Sequence, residues 1–297
     1  MDAKRIKLGI APIGWTNDDM PDLGGEVTFE QCVSEMALAG FEGCEIGNKY
    51  PKSVPELLDA LSIRGLSIAN RWFSSFILTA PFEQVEKDFR ESCAFLAACG
   101  AKRIGVSEQS HSIQGQMDTP VFEKKYVMND EEWKKFAQGL SRLGVIAKEY
   151  GITMTYHHHM GTVVQTAQEI DRMMDMTDSQ SVFLLFDSGH LAYCGEDYLG
   201  VLKKYAHRIK HVHLKDIRPQ IVKKVRDEHL SFLKGVRLGA FTVPGDGAIN
   251  FAPIFEILDQ TGYEGWLLVE AEQDPSIANP FKYAKMAREY IRKNTGV

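Results

Sequence analysis

Apolar positions along the chain fall into short continuous runs, and an amphipathic segment with helical spacing follows each run. The runs predict strands at residues 6–10, 41–46, 66–72, 101–106, 152–157, 182–186, 209–214 and 266–269. The amphipathic segments predict helices at residues 28–39, 55–63, 81–99, 130–150, 163–176, 198–205, 252–261 and 280–293. Several of these segments are followed by glycine, as is typical of helix C-termini. The pattern therefore predicts eight strand–helix units.

Strands that alternate with helices indicate a parallel sheet with helical crossovers, and eight units are the number that closes a barrel. The predicted fold class is α/β, a single (β/α)8 TIM barrel over residues 1–297. A doubly wound open sheet is the alternative, but no GxGxxG motif follows the first strand. No linker, low-complexity tract or internal repeat marks a second domain.

One segment, at about residues 219–243, interrupts the chain after the seventh strand. It has helical apolar spacing at Ile221, Val225, Leu230 and Leu233 and carries many charges. A lid over the site and a contact between subunits both fit this composition. A plain solvated helix fits it equally well.

Composition narrows the classes of partner and compartment. The chain has 297 residues, 44% hydrophobic and 25% charged, which is ordinary for a globular protein. A net charge of -6 argues against nucleic acid or an anionic membrane as the main partner. The five cysteines form no CxxC pair, and the N-terminus lacks the apolar core of a signal peptide. We expect a cytoplasmic protein with reduced thiols and a small-molecule partner, and a homo-oligomer stays open.

The last predicted strand ends in an unusual concentration of negative charge. In the sequence GWLLVEAEQD, the apolar run is followed by Glu270 and Glu272, one residue apart. Close carboxylates repel one another unless a positive group lies between them or one of them is protonated. A bound cation would remove this repulsion.

Imidazoles and further charged groups gather at the ends of the other strands. Strand C-termini meet at one mouth of a barrel, so these side chains are expected to converge. Alternation along a strand places His157 with His159, His211 with His213, and Glu270 with Glu272 on common faces. A mixture of imidazoles and carboxylates suits Mn²⁺, Co²⁺ or Zn²⁺.

Each of these features also has a structural interpretation. A lone histidine is more often a core residue with satisfied hydrogen bonds than a metal ligand, and Glu270 and Glu272 could pair with basic residues at the barrel rim. The sequence DSGH lacks the GxSxG elbow of serine hydrolases. Trp15 and Trp72 fit either packing or contact with the apolar face of a sugar ring. The stronger signal is the joint occurrence of these groups at successive strand ends.

Four motifs resemble those of the xylose isomerase-like barrel superfamily, which includes tagatose 3-epimerase and endonuclease IV. They are the DxxH of 187–190, the His-Leu of 213–214, the Val-Glu of 269–270 and the PGDGAI of 244–249. In the sugar epimerases of this superfamily, a Glu, an Asp, a His and a Glu after strands five to eight hold a metal. The resemblance implies Asp187, His213 and Glu270 as ligands. His157 occupies the position of the strand-five Glu and stays a candidate fourth ligand, since an imidazole can bind metal, but the acid/base role of that Glu does not carry over.

Three longer segments, 11–25, 156–166 and 265–275, resemble the inosose dehydratase family. The resemblance implies loss of water from 2-keto-myo-inositol to give a trihydroxycyclohexane-1,2-dione, in myo-inositol catabolism. It also implies Mn²⁺ or Co²⁺, with glutathione as a further requirement. Glu272 and His159 are the candidate bases, and His190 is a candidate acid or hydroxyl contact. Substrate contacts are expected from Trp15, Arg71, Glu45 and Lys215.

Three rival functions stay open at this point. A ketose 3-epimerase or sugar isomerase of the same superfamily would exchange substrate protons without releasing water. A repair enzyme like endonuclease IV would need a basic face for phosphate, which the acidic composition does not favour. A catalytically inactive barrel that serves as a binding module would hold no metal.

Overall fold

The computed structural model describes residues 1–297 and contains a closed barrel of eight parallel strands. The strands are β1 (Ile6–Ile10), β2 (Gly43–Ile46), β3 (Ser67–Ser75), β4 (Arg103–Glu108), β5 (Thr153–His157), β6 (Phe183–Asp187), β7 (Ile209–Leu214), β8 (Asp216–Ile217), β9 (Phe241–Thr242) and β10 (Gly265–Val269). The barrel consists of β1 to β7 and β10, with β10 hydrogen-bonded between β7 and β1. The prediction of a TIM barrel is confirmed.

Eleven α-helices connect and cover the strands. They are α1 (Phe29–Leu38), α2 (Val54–Ser62), α3 (Phe82–Ala98), α4 (Asp130–Glu149), α5 (Ala167–Met176), α6 (Ser188–Cys194), α7 (Tyr198–Tyr205), α8 (Pro219–Asp227), α9 (Phe232–Arg237), α10 (Ala252–Gln260) and α11 (Pro280–Thr295). Short 3-10 turns occur at Pro12–Gly14 and Ala206–Arg208. None of the helices combines the length and the apolar character that crossing a membrane requires.

The start of α5 differs from the prediction, which had the helix begin at residue 163. Thr166 is the N-cap: its side chain accepts from the backbone N–H of Glu169, and the Glu169 side chain accepts from the N–H of Thr166. This capping box fixes the helix start. Residues 163–165 therefore belong to the loop that leads away from the end of β5.

The core lies between the outer face of the barrel and the surrounding helices, in one cluster of 78 buried apolar residues. A smaller cluster, made of Ala11, Ala69, Trp266 and Leu268, fills part of the barrel. Gly43 gives the Trp266 ring its space, because a Cβ on Gly43 would lie 2.4 Å from that ring. This apolar layer precedes Glu270 and Glu272 on the same alternating face of β10.

The segment at about residues 219–243 packs on the barrel. It contains α8, α9 and the antiparallel pair of β8 with β9, and both Phe232 and Phe241 are fully buried. Exposed ion pairs from Lys234 to Asp118 and from Arg237 to Asp22 join it to the loops after β4 and β1.

Candidate active site

A cavity of about 830 Å³ opens beyond the C-terminal ends of the barrel strands. Its deep wall includes Glu45, His159, Glu270 and Glu272, and its outer part includes Arg71 together with residues of α3. The charged groups that converge at the strand ends therefore adjoin a space large enough for a small molecule.

Asp187 is the central acceptor of the site. It ends β6 and caps α6, and its Oδ1 accepts from the backbone N–H of His190 at 2.8 Å. Its Oδ2 is buried and has no hydrogen-bond partner. The local fold thus uses one carboxylate oxygen for the helix and leaves the other free.

Two histidines from the flanking strands approach this free oxygen. His157 Nε2 on β5 lies 3.4 Å from Asp187 Oδ2, and His213 Nδ1 on β7 lies 3.5 Å from it. His157 Nε2 is buried without a hydrogen-bond partner. His213 Nδ1 also contacts a carboxylate oxygen of Glu270. Donor atoms from β5, β6, β7 and the end of β10 therefore face one point.

These donors fit a divalent metal ion. Each buried polar atom without a partner costs about 1–3 kcal/mol, and two such atoms, His157 Nε2 and Asp187 Oδ2, lie only 3.4 Å apart here. A cation placed among His157, Asp187, His213 and Glu270 would satisfy all of them. Two imidazoles with two carboxylates form a ligand set suited to Mn²⁺, Co²⁺ or Zn²⁺.

Lys215 supplies a fixed positive charge behind the carboxylates. Its Nζ lies 2.5 Å from Glu270 Oε1, 2.8 Å from Glu272 Oε1 and 3.0 Å from His190 Nε2. Burial alone would lower the pKa of Lys215, but the two glutamates outweigh it and raise the pKa, so the side chain stays charged. Lys215 is fully buried behind Glu270 and Glu272, which line the cavity. A direct contact between Lys215 and substrate stays a prediction.

Glu270 and Glu272 respond differently to this environment. Burial disfavours the charge on Glu270, but Lys215 and His213 outweigh burial and hold its pKa well below the usual range. Burial raises the pKa of Glu272 to about 7 against the opposing charge of Lys215. Glu270 is thus a permanent anion suited to a metal, and Glu272 can exchange a proton near neutral pH.

His159 is held as a neutral ring. Its Nδ1 lies 2.9 Å from the Met160 carbonyl oxygen, which can only accept, so Nδ1 carries the proton and Nε2 keeps its lone pair. Burial and the charge of Lys215 lower the pKa of His159 well below its ordinary value. Because His159 lines the cavity, Nε2 is available to accept a hydrogen bond from a ligand.

His190 lies behind His159, with the two ring centroids 3.7 Å apart. It is buried, does not line the cavity, and faces the Lys215 ammonium through Nε2. The role of His190 as a hydroxyl contact or as the acid stays a prediction. Its ring supports His159 and accepts from Lys215.

The remaining predicted substrate contacts divide into two groups. Trp15 is 1% exposed, donates to Glu35 Oε2 at 2.7 Å and does not line the cavity, so its assignment as a substrate contact is wrong. Arg71 lines the outer cavity, with its guanidinium 5.4 Å from the Phe95 ring centroid. Glu45 lines the deep wall, where it contacts His213.

Sequence reasoning missed several residues around the site. Asn70 on β3 donates to Glu45, and Asp19, in the loop after β1, lines the cavity and accepts from Gln114. His158 faces away from the barrel, with its Nε2 3.4 Å from the backbone nitrogen of Asp187. Strand alternation gave a usable signal for Asn70 only, since the loops have no periodicity.

The sequence profile of the family described as xylose isomerase-like TIM barrel matches residues 33–294. The chain is 65% identical over 292 residues to an inosose dehydratase of Clostridium perfringens, with 98% of each chain covered. It is 61% identical over 293 residues to an inosose dehydratase of Geobacillus thermodenitrificans, covering 99% of this chain and 98% of that protein.

Solved structures share the fold at much lower identity. An L-ribulose 3-epimerase superposes with a TM-score of 0.71 at 17% identity, covering 98% of this chain and 95% of that one. A probable 3-DHS dehydratase from Bacillus anthracis has a TM-score of 0.71 at 15% identity, covering 97% and 99%. The IolI protein, crystallised with a bound zinc atom, has a TM-score of 0.69 at 18% identity, covering 97% and 96%.

Proposed function

We infer the function from the premise that this chain belongs to the inosose dehydratase family of the xylose isomerase-like TIM barrels. It is a carbon–oxygen lyase that removes water from an inosose. The substrate we propose is 2-keto-myo-inositol, and the product is a trihydroxycyclohexane-1,2-dione, as a step of myo-inositol catabolism.

We propose His157, Asp187, His213 and Glu270 as the ligands of a divalent metal, and Mn²⁺ or Co²⁺ as the native ion. When bound, the ion supplies Lewis-acid stabilisation of the negative charge that develops as the α-hydrogen is removed. The support for this assignment is the convergence of these donor atoms, among which His157 Nε2 and Asp187 Oδ2 have no hydrogen-bond partner.

Glu272 is the proposed base. The C–H bond next to the ketone breaks, its proton passes to a Glu272 carboxylate oxygen, and the electron pair forms a double bond as the β-hydroxyl departs. The departing hydroxyl takes the proton from Glu272 and leaves as water, which returns Glu272 to its starting state. The α-carbon still carries its own hydroxyl, so the product of this step is an enol, and transfer of that hydroxyl's proton to the β-carbon gives the dione. Lys215 holds Glu272 in place through Oε1, at 2.8 Å. A pKa near neutrality suits both halves of this exchange.

His159 and Arg71 are the proposed substrate contacts. The free Nε2 of His159 accepts from a ring hydroxyl, because Met160 fixes the proton on Nδ1. The Arg71 guanidinium donates to a hydroxyl farther out in the cavity. With a base on one side and an acceptor on the other, the ring is held in one orientation.

The observation on which the proposal chiefly rests is Glu272, a cavity-lining carboxylate paired with a buried lysine beside the group of donor atoms. Epimerisation would also require protonation of the opposite face of the carbon. The epimerase resemblance assigns that role to a strand-five Glu, and here His157 stands in its place. Elimination needs only the single base.

The decisive experiment incubates metal-loaded protein with 2-keto-myo-inositol and follows dione absorbance. The dehydratase proposal expects dione to accumulate, and chelator-treated protein to be inactive until Mn²⁺ or Co²⁺ is added. Solvent deuterium in recovered substrate, without dione, would instead identify an epimerase. Parallel assays with and without glutathione test the auxiliary requirement that the family resemblance implies.

A further inference from the structure

His213 makes contacts through both ring nitrogens. Nδ1 faces Asp187 Oδ2 and Glu270, and Nε2 lies 3.0 Å from Glu45 Oε1. Carboxylates face both nitrogens, so each can carry a proton in the metal-free ring, but a metal ion would replace the proton on Nδ1 and leave Nε2 to donate its proton to Glu45. In the neutral ring, the lone pair is then on Nδ1, the nitrogen that faces the proposed metal position.

Glu45 is itself held in place by Asn70. The Asn70 side-chain nitrogen donates to the same Glu45 Oε1 at 2.6 Å, and Asn70 is 1% exposed. Gly105 on the adjoining strand provides the space for this amide, because a Cβ on Gly105 would lie 2.9 Å from the Asn70 nitrogen. This hydrogen bond joins Asn70 to Glu45, and we call the pair of residues the outer clamp.

His211 does not share in this arrangement. Its Nε2 lies 3.9 Å from Glu45 Oε1, which is too long for a hydrogen bond, and neither of its ring nitrogens has a partner. Glu45 is therefore hydrogen-bonded to only one imidazole, that of His213. Glu45, His211 and His213 could also hold an ion of their own, with their donor atoms within 4.8 Å. A second ion at these three residues would give two ions per chain, whereas the outer clamp leaves one ion per chain.

We propose that the outer clamp fixes His213 as its Nε2–H tautomer and so presents Nδ1 to the metal, which makes Glu45 and Asn70 positioning residues for the metal centre. The proposal rests on the proposed function, because it assumes the metal site described above. A carboxylate behind a ligating histidine orients the ring and increases the basicity of the ligating nitrogen. Loss of such a partner typically lowers metal affinity by about 10–100-fold.

The test measures Mn²⁺ and Co²⁺ affinity of metal-stripped protein by competition with a chromophoric chelator, without substrate. Glu45→Gln keeps an oxygen acceptor but removes the charge, and we expect affinity to fall by about 10–100-fold. Asn70→Ala should weaken binding less. The double variant should lose less than the product of the single effects, because both residues act through one oxygen.

Glu91→Gln is the matched control. This substitution removes the same charge from the outer end of the same cavity, at a position far along the chain from the histidines. The metal affinity of the variant should equal that of the wild type. Circular dichroism of each variant checks that the fold is retained. An equal loss of metal affinity in Glu91→Gln would show that the effect comes from the overall charge of the cavity. That result would contradict the positioning role proposed for the outer clamp.

A second readout reports on the tautomer directly. In Co²⁺-loaded protein, ring N–H protons of ligating histidines give hyperfine-shifted proton resonances that exchange with water. We expect Glu45→Gln to move one of these resonances and speed its exchange while the others stay in place. If Glu45→Gln leaves both the spectrum and the metal affinity unchanged, the positioning role of the outer clamp is contradicted, but the metal-dependent function is not. Two Co²⁺ ions per wild-type chain would make Glu45 a ligand, and wild-type protein that binds no metal would overturn the metal-dependent function as well.

Discussion

Glu270 and Glu272 stand on the same face at the end of β10, but their charges are stabilised differently. Lys215 and His213 together hold the pKa of Glu270 low, whereas burial outweighs Lys215 at Glu272 and raises its pKa to about 7. Alternation along the strand predicts that the two share a face. It does not predict which of them meets the histidine, because that depends on β7 lying beside β10.

Replacing Glu272 tests the proposed base. We expect Glu272→Gln to lower kcat by about 10²–10⁴-fold, since general base catalysis typically contributes that much. Metal content should stay at the wild-type level, because Glu272 is not among the proposed ligands. Dione formation and metal analysis of the same sample are the measurements. Unchanged turnover with metal retained would leave His159 as the base.

Replacing His157 tests the fourth ligand. We expect His157→Ala to weaken Mn²⁺ binding, since its Nε2 is buried with no partner other than the proposed ion. Chelator competition gives the affinity, and steady-state kinetics give the Michaelis constant. A raised Michaelis constant with unchanged metal affinity would make His157 a substrate contact.

Replacing Lys215 tests the charge balance. Lys215→Met would leave Glu270 and Glu272 buried without their cation, and loss of one partner from a buried pair costs about 3–5 kcal/mol. Urea unfolding should show a loss of this size in metal-stripped protein, and added Mn²⁺ should recover part of it. Lys203→Met, at an exposed position of α7, is the control and should change stability by about 0.5 kcal/mol or less. Equal stability of the two variants would contradict the role given to Lys215.

At the scale of elements, the barrel strands were predicted well because their apolar runs are continuous, as expected for strands buried on both faces. The short α6 was not predicted, since its seven residues, SGHLAYC, follow β6 directly and show no full helical repeat. Its start depends on Asp187 acting as the N-cap, a residue that the sequence marks only as a ligand. Chemistry and capping use the two oxygens of one side chain.

Gly43 on β2 makes a specific prediction about strand packing. We expect Gly43→Ala to destabilise the fold by about 1–3 kcal/mol, because the added Cβ would meet the Trp266 ring at 2.4 Å and the Ser67 carbonyl oxygen at 2.7 Å. Gly115→Ala is the control, since nothing lies within 4 Å of its Cβ position. Chemical unfolding of both variants is the measurement. Equal stability would show that β2 and Trp266 can shift apart without cost.

At the scale of the whole molecule, the sequence predicts that charged groups converge but not how deeply each one lies. Residues 211, 213 and 215 alternate onto one face, yet Lys215 is fully buried. The ring of Phe241, from β9, lies 4.7 Å from its ammonium. Trp15 is buried in the same way by packing that no local pattern shows. Such burial arises from contacts between segments far apart in sequence, and periodicity contains no information about them.

Metal removal should affect the stability of the whole barrel. The proposed ligands join four consecutive strands of the barrel, so an ion that binds only the folded state stabilises all of them together. At a free Mn²⁺ concentration of about 100 times Kd, the expected stabilisation is about 2.7 kcal/mol. Thermal unfolding of stripped and reloaded protein measures it. A melting temperature independent of Mn²⁺ concentration would contradict the site.

The residues that line the cavity are distributed unequally along the chain. Of its 24 lining residues, only His159, Glu270 and Glu272 come after residue 114, whereas all four proposed metal ligands do. The first half of the barrel therefore shapes the space that a substrate occupies, and the second half provides the reactive centre, with the outer clamp as the link between them. Substitutions in the first half can therefore change which substrate fits without altering any of the proposed metal ligands.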